Sequence, residues 1–264
     1  MSTPLEIVVH GDKEEMARST AAALAGRIAE AQRARGTASV VLTGGRNGNA
    51  LLAALAAPGV RDSVDFSRLE LWWGDERFLP EGDPERNVTQ AREAFLAAVP
   101  ADPARVHAMP SSDGAHGDDV EAAAEAYAAE LAAAARPEDQ DVPVPSFDVL
   151  LLGVGPDTHV ASLFPGHAGA QEAERTVVGV RGAPKPPPVR ISLTLPAIRA
   201  AREVWLLAAG EDKAEAVARV LGGDAAPHET DAPAAGAYGR ERTRWLLDEA
   251  AASLLPRDGH SPRT

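Results

Sequence analysis

Apolar and polar positions along the chain alternate between a strand rhythm and a helix rhythm. Leu5–His10 reads as an opening strand, and Met16, Thr20, Leu24, Ile28 and Ala31 then recur at helical spacing before Gly36. Val40–Leu42 runs into Thr43-Gly44-Gly45-Arg46-Asn47-Gly48, with a helix expected from about Asn49. Leu69–Trp73 runs into Gly74-Asp75-Glu76-Arg77 in the same way, so both read as strand, polar loop, helix. A further helix carries Phe95 and Leu96. Asp118–Ala135 is an Ala-rich helix with Tyr127 and Leu131 that reads as peripheral, followed by RPEDQDVPVPS as a surface loop.

The pattern is sharpest over Phe147–Gly166, FDVLLLGVGPDTHVASLFPG. Val149, Leu150, Leu151, Leu152 and Val154 suit a strand buried on both faces of a parallel sheet, and Gly153 and Gly155 end it. Ligands collect at such strand ends, so the turn sets Asp157 and His159 just beyond the carboxyl edge of the sheet, with a short helix expected to follow. Later strands are expected over Val177–Val180, Arg190–Leu193, Val204–Ala208 and Arg244–Leu247, and helices near Asp212–Leu221 and Glu249–Leu255. This alternation predicts an α/β fold: a single, largely parallel, Rossmann-like sheet flanked by helices on both faces. One domain is expected over residues 1–256, with a flexible tail, RDGHSPRT, over 257–264.

Composition narrows the chemistry. The 264 residues can bury a substantial core, and 39 Asp plus Glu against 26 Lys plus Arg give a net charge of −13. That field repels nucleic acid and anionic membrane, and an anionic substrate needs local basic groups. No cysteine is present, which removes disulfides, thiolate nucleophiles and zinc–thiolate sites together. No apolar run approaches the roughly 20 residues that span a bilayer, and the opening MSTPLEIVVHGDKEE lacks a secretory apolar segment. The expectation is a cytoplasmic protein, a monomer or small homo-oligomer, with no nucleic-acid or membrane partner.

Several positions bear on function, each with a plainer alternative. The loop at Gly44 and Gly45 lets backbone N–H groups approach a phosphate at a helix N-terminus, but it matches neither the Walker nor the dinucleotide pattern and, taken alone, reads first as a plain tight turn. Asp75, Glu76 and Arg77 either orient sugar hydroxyls or form a solvated charge cluster; of Trp72 and Trp73, one is expected in the core and the other on a cleft wall. His159 is a general base or a capping histidine, with Asp157 its orienting partner or a helix N-cap. Ser162 has no base beside it in sequence and reads as a helix residue. Lys185 and Arg190 lie in a proline-stiffened segment that either clamps phosphate or only spaces two strands, and Lys213 sits at a strand-to-helix turn. His107, His116 and His167 show no metal-site spacing, so no metal is expected.

In order, LTGG, WWGDERFLPEGDPERN, FDVLLLGVGPDTHVASLFPG, KPPPVRISLTLPAI and AAGEDKAEAV resemble the 6-phosphogluconolactonase family, within the group that includes glucosamine-6-phosphate deaminase. The resemblance spreads over most of residues 40–220. It implies hydrolysis of 6-phospho-D-glucono-1,5-lactone to 6-phosphogluconate without metal or organic cofactor. It also implies that His159 activates water, that Asp75-Glu76-Arg77 line the sugar site, and that Gly44, Gly45, Arg190, Lys213 and, more weakly, Lys185 meet the phosphate.

Two departures bear on efficiency more than on fold. The family usually reads Asp-Gly-His where this chain has Asp157-Thr158-His159, and a β-branched residue fits poorly if that position has positive φ. Arg46 and Asn47 follow Gly45 where small or hydroxyl residues are usual, and Arg46 is expected to face solvent. The resembling deaminases follow their histidine with a glutamate that this chain lacks in Val160-Ala161-Ser162-Leu163-Phe164-Pro165. A non-catalytic sugar-phosphate binder is the other alternative, against which the retained His159 argues.

Overall fold

The structure, a computed structural model, describes residues 3–136, 142–223 and 228–256. Among these lie nine strands: β1 (Leu5–His10), β2 (Ala38–Leu42), β3 (Leu69–Trp73), β4 (Asp75–Arg77), β5 (Val149–Gly153), β6 (Val177–Val180), β7 (Arg190–Leu193), β8 (Glu203–Ala208) and β9 (Arg242–Asp248). The helices are α1 (Lys13–Arg35), α2 (Gly45–Leu55), α3 (Asn87–Ala94), α4 (Val120–Ala134), α5 (Ala168–Gln171), α6 (Leu195–Arg199), α7 (Ala214–Leu221) and α8 (Pro233–Gly236). None of them is long and apolar enough to cross a membrane. Asp12 caps α1 by accepting from Glu15 N–H, and Gly36 ends it in the left-handed conformation at φ 82°.

Six strands form one parallel sheet in the order β1-β9-β8-β5-β2-β3. From β2 the chain passes to its outer neighbour β3, whereas the next strand of this sheet after β5 is β8, on the opposite side. The strand order therefore switches direction between β2 and β5, whose carboxyl ends mark the place where open α/β sheets receive ligands. The apolar run of β5 is buried along Val149–Leu152 between these neighbours. Its side chains join a continuous core with Val40, Val41, Leu71, Trp205 and Leu206.

The expected parallel α/β sheet with its helices is present, and a second sheet accompanies it. β4, β7 and β6 form a three-stranded antiparallel sheet, with Asp75 opposite Ser192 and Arg77 opposite Arg190. Residues 75–77, read as loop, are thus a strand, because Gly74 N–H bonds Leu42 and the chain then pairs with a different sheet. Helix α4 is not peripheral. It packs on β6 and β7, and the buried Tyr127 hydroxyl accepts from Trp73 N–H and donates to His107 O.

Helix α2 begins four residues earlier than expected, because Gly45 at φ 79° turns the chain directly from strand into helix. Residues 249–255 form turns rather than a helix. Asp248 bonds the N–H groups of Gly210 and Ala251 and curls the chain back on β8. The expected tail at 257–264, and part of the expected loop at 136–146, lie outside the described residues.

Candidate active site

Beyond β5 the backbone reverses tightly. Val154 N–H bonds Leu207 O, Thr158 N–H bonds Gly155 O, and Gly155 N–H returns to His159 O. The reversal lays the His159 ring across Gly155, where a methyl group in place of the hydrogen would overlap the imidazole and the Asp157 carboxylate. Nδ1 of His159 is hydrogen-bonded to Asp157 Oδ1. Burial raises the Asp157 carboxyl, but the hydrogen bond and charge of His159 outweigh it and bring the carboxyl down to about 2. An ionised Asp157 places the proton on Nδ1 and leaves Nε2 with its lone pair. The imidazole is 16% exposed, so it is packed yet reachable.

The expected short helix after Asp157 is absent. Residues 157–166 form turns tied by isolated antiparallel bridges of Val160 with Val154 and Leu163, and the next helix is α5. Asp157 is accordingly no helix N-cap; its carboxylate bonds the His159 ring and, at 3.4 Å, the His159 N–H. Phe164 closes the turn, with its ring centroid 4.8 Å from that of His159 and 5.8 Å from the guanidinium carbon of Arg190. The imidazole and Arg190 thus flank one aromatic ring.

Arg190 lies on β7, and its guanidinium donates to the carbonyls of Lys185, Pro186 and Pro187. The proline-stiffened segment therefore holds this cation in place, with Nη1 4.0 Å from Asp75 Oδ2. Asp75 is buried and also accepts from Ser162 Oγ at 2.7 Å and from Asn87 Nδ2 at 3.3 Å. Asn87 Oδ1 in turn accepts from Arg77 Nη1 at 2.9 Å, and its carboxamide lies so close to Gly44 that a side chain there would overlap it. The glycine loop of α2, Arg77, Asp75, Arg190 and the His159 turn are linked in one contiguous network.

Some expected residues sit apart from this network. Glu76 is fully buried and does not line a cleft. Its carboxylate accepts from the N–H groups of Arg77, Asn87 and Val88, bracing the start of α3, and desolvation pushes its pKa up to about 7. Trp72 and Trp73 are both in the core, so neither walls a cleft. Lys185 is exposed and contributes its carbonyl to Arg190, and Arg46 is exposed at the first turn of α2. Lys213 stands past the carboxyl end of β8, the strand beside β5, with Nζ 3.3 Å from Asp212.

The sequence reading passed over Asn87 and Ser192, and Ser162, read as a helix residue, stands in a turn. Asn87, Ser162 and Ser192 are buried polar side chains, and Ser192 Oγ accepts from Ser162 N–H at 3.1 Å. Their signal is small polar residues in otherwise apolar or motif-rich segments, meaningful only once the partner strands are known.

A histidine–carboxylate pair and a fixed cation beyond the carboxyl edge of a parallel sheet define an α/β protein with these groups gathered at its topological switch point, where open α/β sheets in general take small ligands. The sequence model described as Glucosamine-6-phosphate isomerases/6-phosphogluconolactonase matches residues 11–245, and the chain belongs to that family. It is 70% identical over 262 residues to a 6-phosphogluconolactonase of Streptomyces coelicolor, covering 99% of each chain. It is 50% identical over 256 residues to one of Mycobacterium tuberculosis, covering 97% of this chain and 100% of that one. The solved 6-phosphogluconolactonase of Trypanosoma brucei superposes with a TM-score of 0.79 at 27% identity, covering 97% of this chain and 100% of that chain.

Proposed function

We propose that this chain is a 6-phosphogluconolactonase, a hydrolase that opens 6-phospho-D-glucono-1,5-lactone to 6-phospho-D-gluconate with His159 as general base. The observation that carries the reading is the His159–Asp157 pair, part-exposed at the sheet's switch point and one aromatic ring away from Arg190. Water held at Nε2 gives its proton to the imidazole as its oxygen adds to the lactone carbonyl carbon. Ionised Asp157 stabilises the imidazolium through Nδ1–H. The tetrahedral intermediate collapses with cleavage of the bond between that carbon and the ring oxygen. The ring oxygen takes the proton back and becomes the free hydroxyl of the open acid. No covalent enzyme intermediate, metal or organic cofactor enters the scheme.

The phosphate is assigned to the other end of the site, against Arg190, Lys213, Arg77 and the backbone N–H groups that Gly44 and Gly45 leave open at α2. Holding the phosphate far from the carbonyl fixes the lactone against the base. The lactonase is preferred over a deaminase because residues 160–165 offer no carboxylate beyond His159 for ring opening. The test is acid release from freshly generated phospholactone above its spontaneous rate, with glucono-1,5-lactone and glucosamine 6-phosphate as comparators. The expected result is strong enhancement with the phospholactone, weaker enhancement with the unphosphorylated lactone, and no ammonia from glucosamine 6-phosphate. Absence of any enhancement rejects the lactonase, and ammonia release selects the deaminase.

A further inference from the structure

Among the described residues, the non-glycine positions with positive φ are Thr158 at 72° and Ala161 at 49°, and they bracket His159. A β-branched residue in this conformation is a true outlier, held at a cost in backbone strain. Thr158 does nothing visible to offset that cost. It is 1% exposed, and its Oγ1 is buried without a hydrogen-bond partner. The surroundings hold the conformation instead. Ala234 N–H of α8 bonds Thr158 O at 3.0 Å, and Ser162 is fixed by both Asp75 and Ser192. Strain confined to the two ends of one short turn, and clamped from three separate elements, marks a backbone whose geometry matters at His159, one of the two residues between them.

We propose that Thr158, with Ala161, is a positioning residue: its restricted left-handed backbone locks the peptide that aims the His159 ring across Gly155 and onto Asp157. The inference rests on His159 being the base proposed above. Glycine at position 158 would adopt the same φ without cost, but it would also reach neighbouring conformations that a residue with a Cβ cannot. The threonine thus trades stability for a narrower distribution of imidazole orientations. A base displaced by a fraction of an ångström loses rate without loss of substrate binding.

The experiment compares wild type, Thr158→Gly and Thr158→Ala by steady-state hydrolysis of the phospholactone, thermal unfolding, and long-range 1H–15N correlation spectra of the His159 ring. Thr158→Gly is expected to unfold no earlier than wild type, because relief of strain offsets the greater freedom of glycine in the unfolded chain. Its kcat is expected to fall at least ~3-fold with KM changed less than ~2-fold, and its ring signals to broaden. Thr158→Ala, which still carries a Cβ, is expected to retain more of kcat than Thr158→Gly. A glycine variant as fast as wild type, with unchanged ring signals, overturns the proposal. So does one that loses stability along with rate, which is the mark of a merely structural role. If wild type itself does not hydrolyse the lactone, the proposed function fails separately, and the ring signals alone decide whether Thr158 restrains His159.

Discussion

Ser162 donates its hydroxyl to Asp75 Oδ2 at 2.7 Å, joining the turn that carries His159 to the strand that leads into Arg77. Both residues are buried, so the carboxylate exchanges water for a hydroxyl, an amide and the nearby Arg190 guanidinium. Removing the hydroxyl leaves part of a buried anion unpaired. Ser162→Ala is expected to lower unfolding stability by about 1–3 kcal/mol in urea titration. Loss below about 0.5 kcal/mol would show that the tie contributes little beyond the packing of β4 on β7.

Glu76 gives the fold a pH dependence of known sign. Its carboxyl has an ordinary value of 4.5 and is raised by burial to about 7, so between those values the folded state holds a proton that the unfolded state has released. Stability from this group is full below pH 4.5 and is lost as pH rises through about 7. Relative to Glu76→Gln, wild type is expected to lose on the order of 3 kcal/mol across that window. Equal pH slopes for the two proteins would mean that the three backbone N–H donors keep the carboxylate ionised throughout.

The main sheet was legible because its strands are short apolar runs ended by glycine or polar residues. β1, β3 and β5 fall where the pattern sets them. Of the second sheet, β6 and β7 fall where the pattern sets them, but β4 was not legible, because Asp75-Glu76-Arg77 carries no apolar signal and becomes a strand only by pairing with β7. Glu76 reads as a surface acid, yet it is buried because the N-terminus of α3, distant in sequence, supplies its donors. The same limit hid Asn87 and let Ser162 read as a helix residue, since the partners of both lie on other elements. Tyr127 and Leu131 did point inward along α4, but the alanines around them made the helix read as peripheral.

Gly155 is a steric requirement of the His159 turn. Because a side chain there would overlap both the imidazole and Asp157, Gly155→Ala is expected to displace the base while leaving the six-stranded sheet intact. The expected outcome is a loss of ~100-fold or more in kcat/KM with an unchanged far-UV circular dichroism spectrum. Near-wild-type turnover in this variant would mean that the ring does not work from the position across Gly155.

The most direct measurement is the rate of acid release from fresh 6-phosphogluconolactone by His159→Gln, which keeps a polar side chain of similar size but cannot accept the proton from water. The account predicts a fall of ~100-fold or more in kcat, with the phosphorylated product still bound with wild-type affinity. A folded His159→Gln enzyme that turns over within about threefold of wild type would contradict a histidine base.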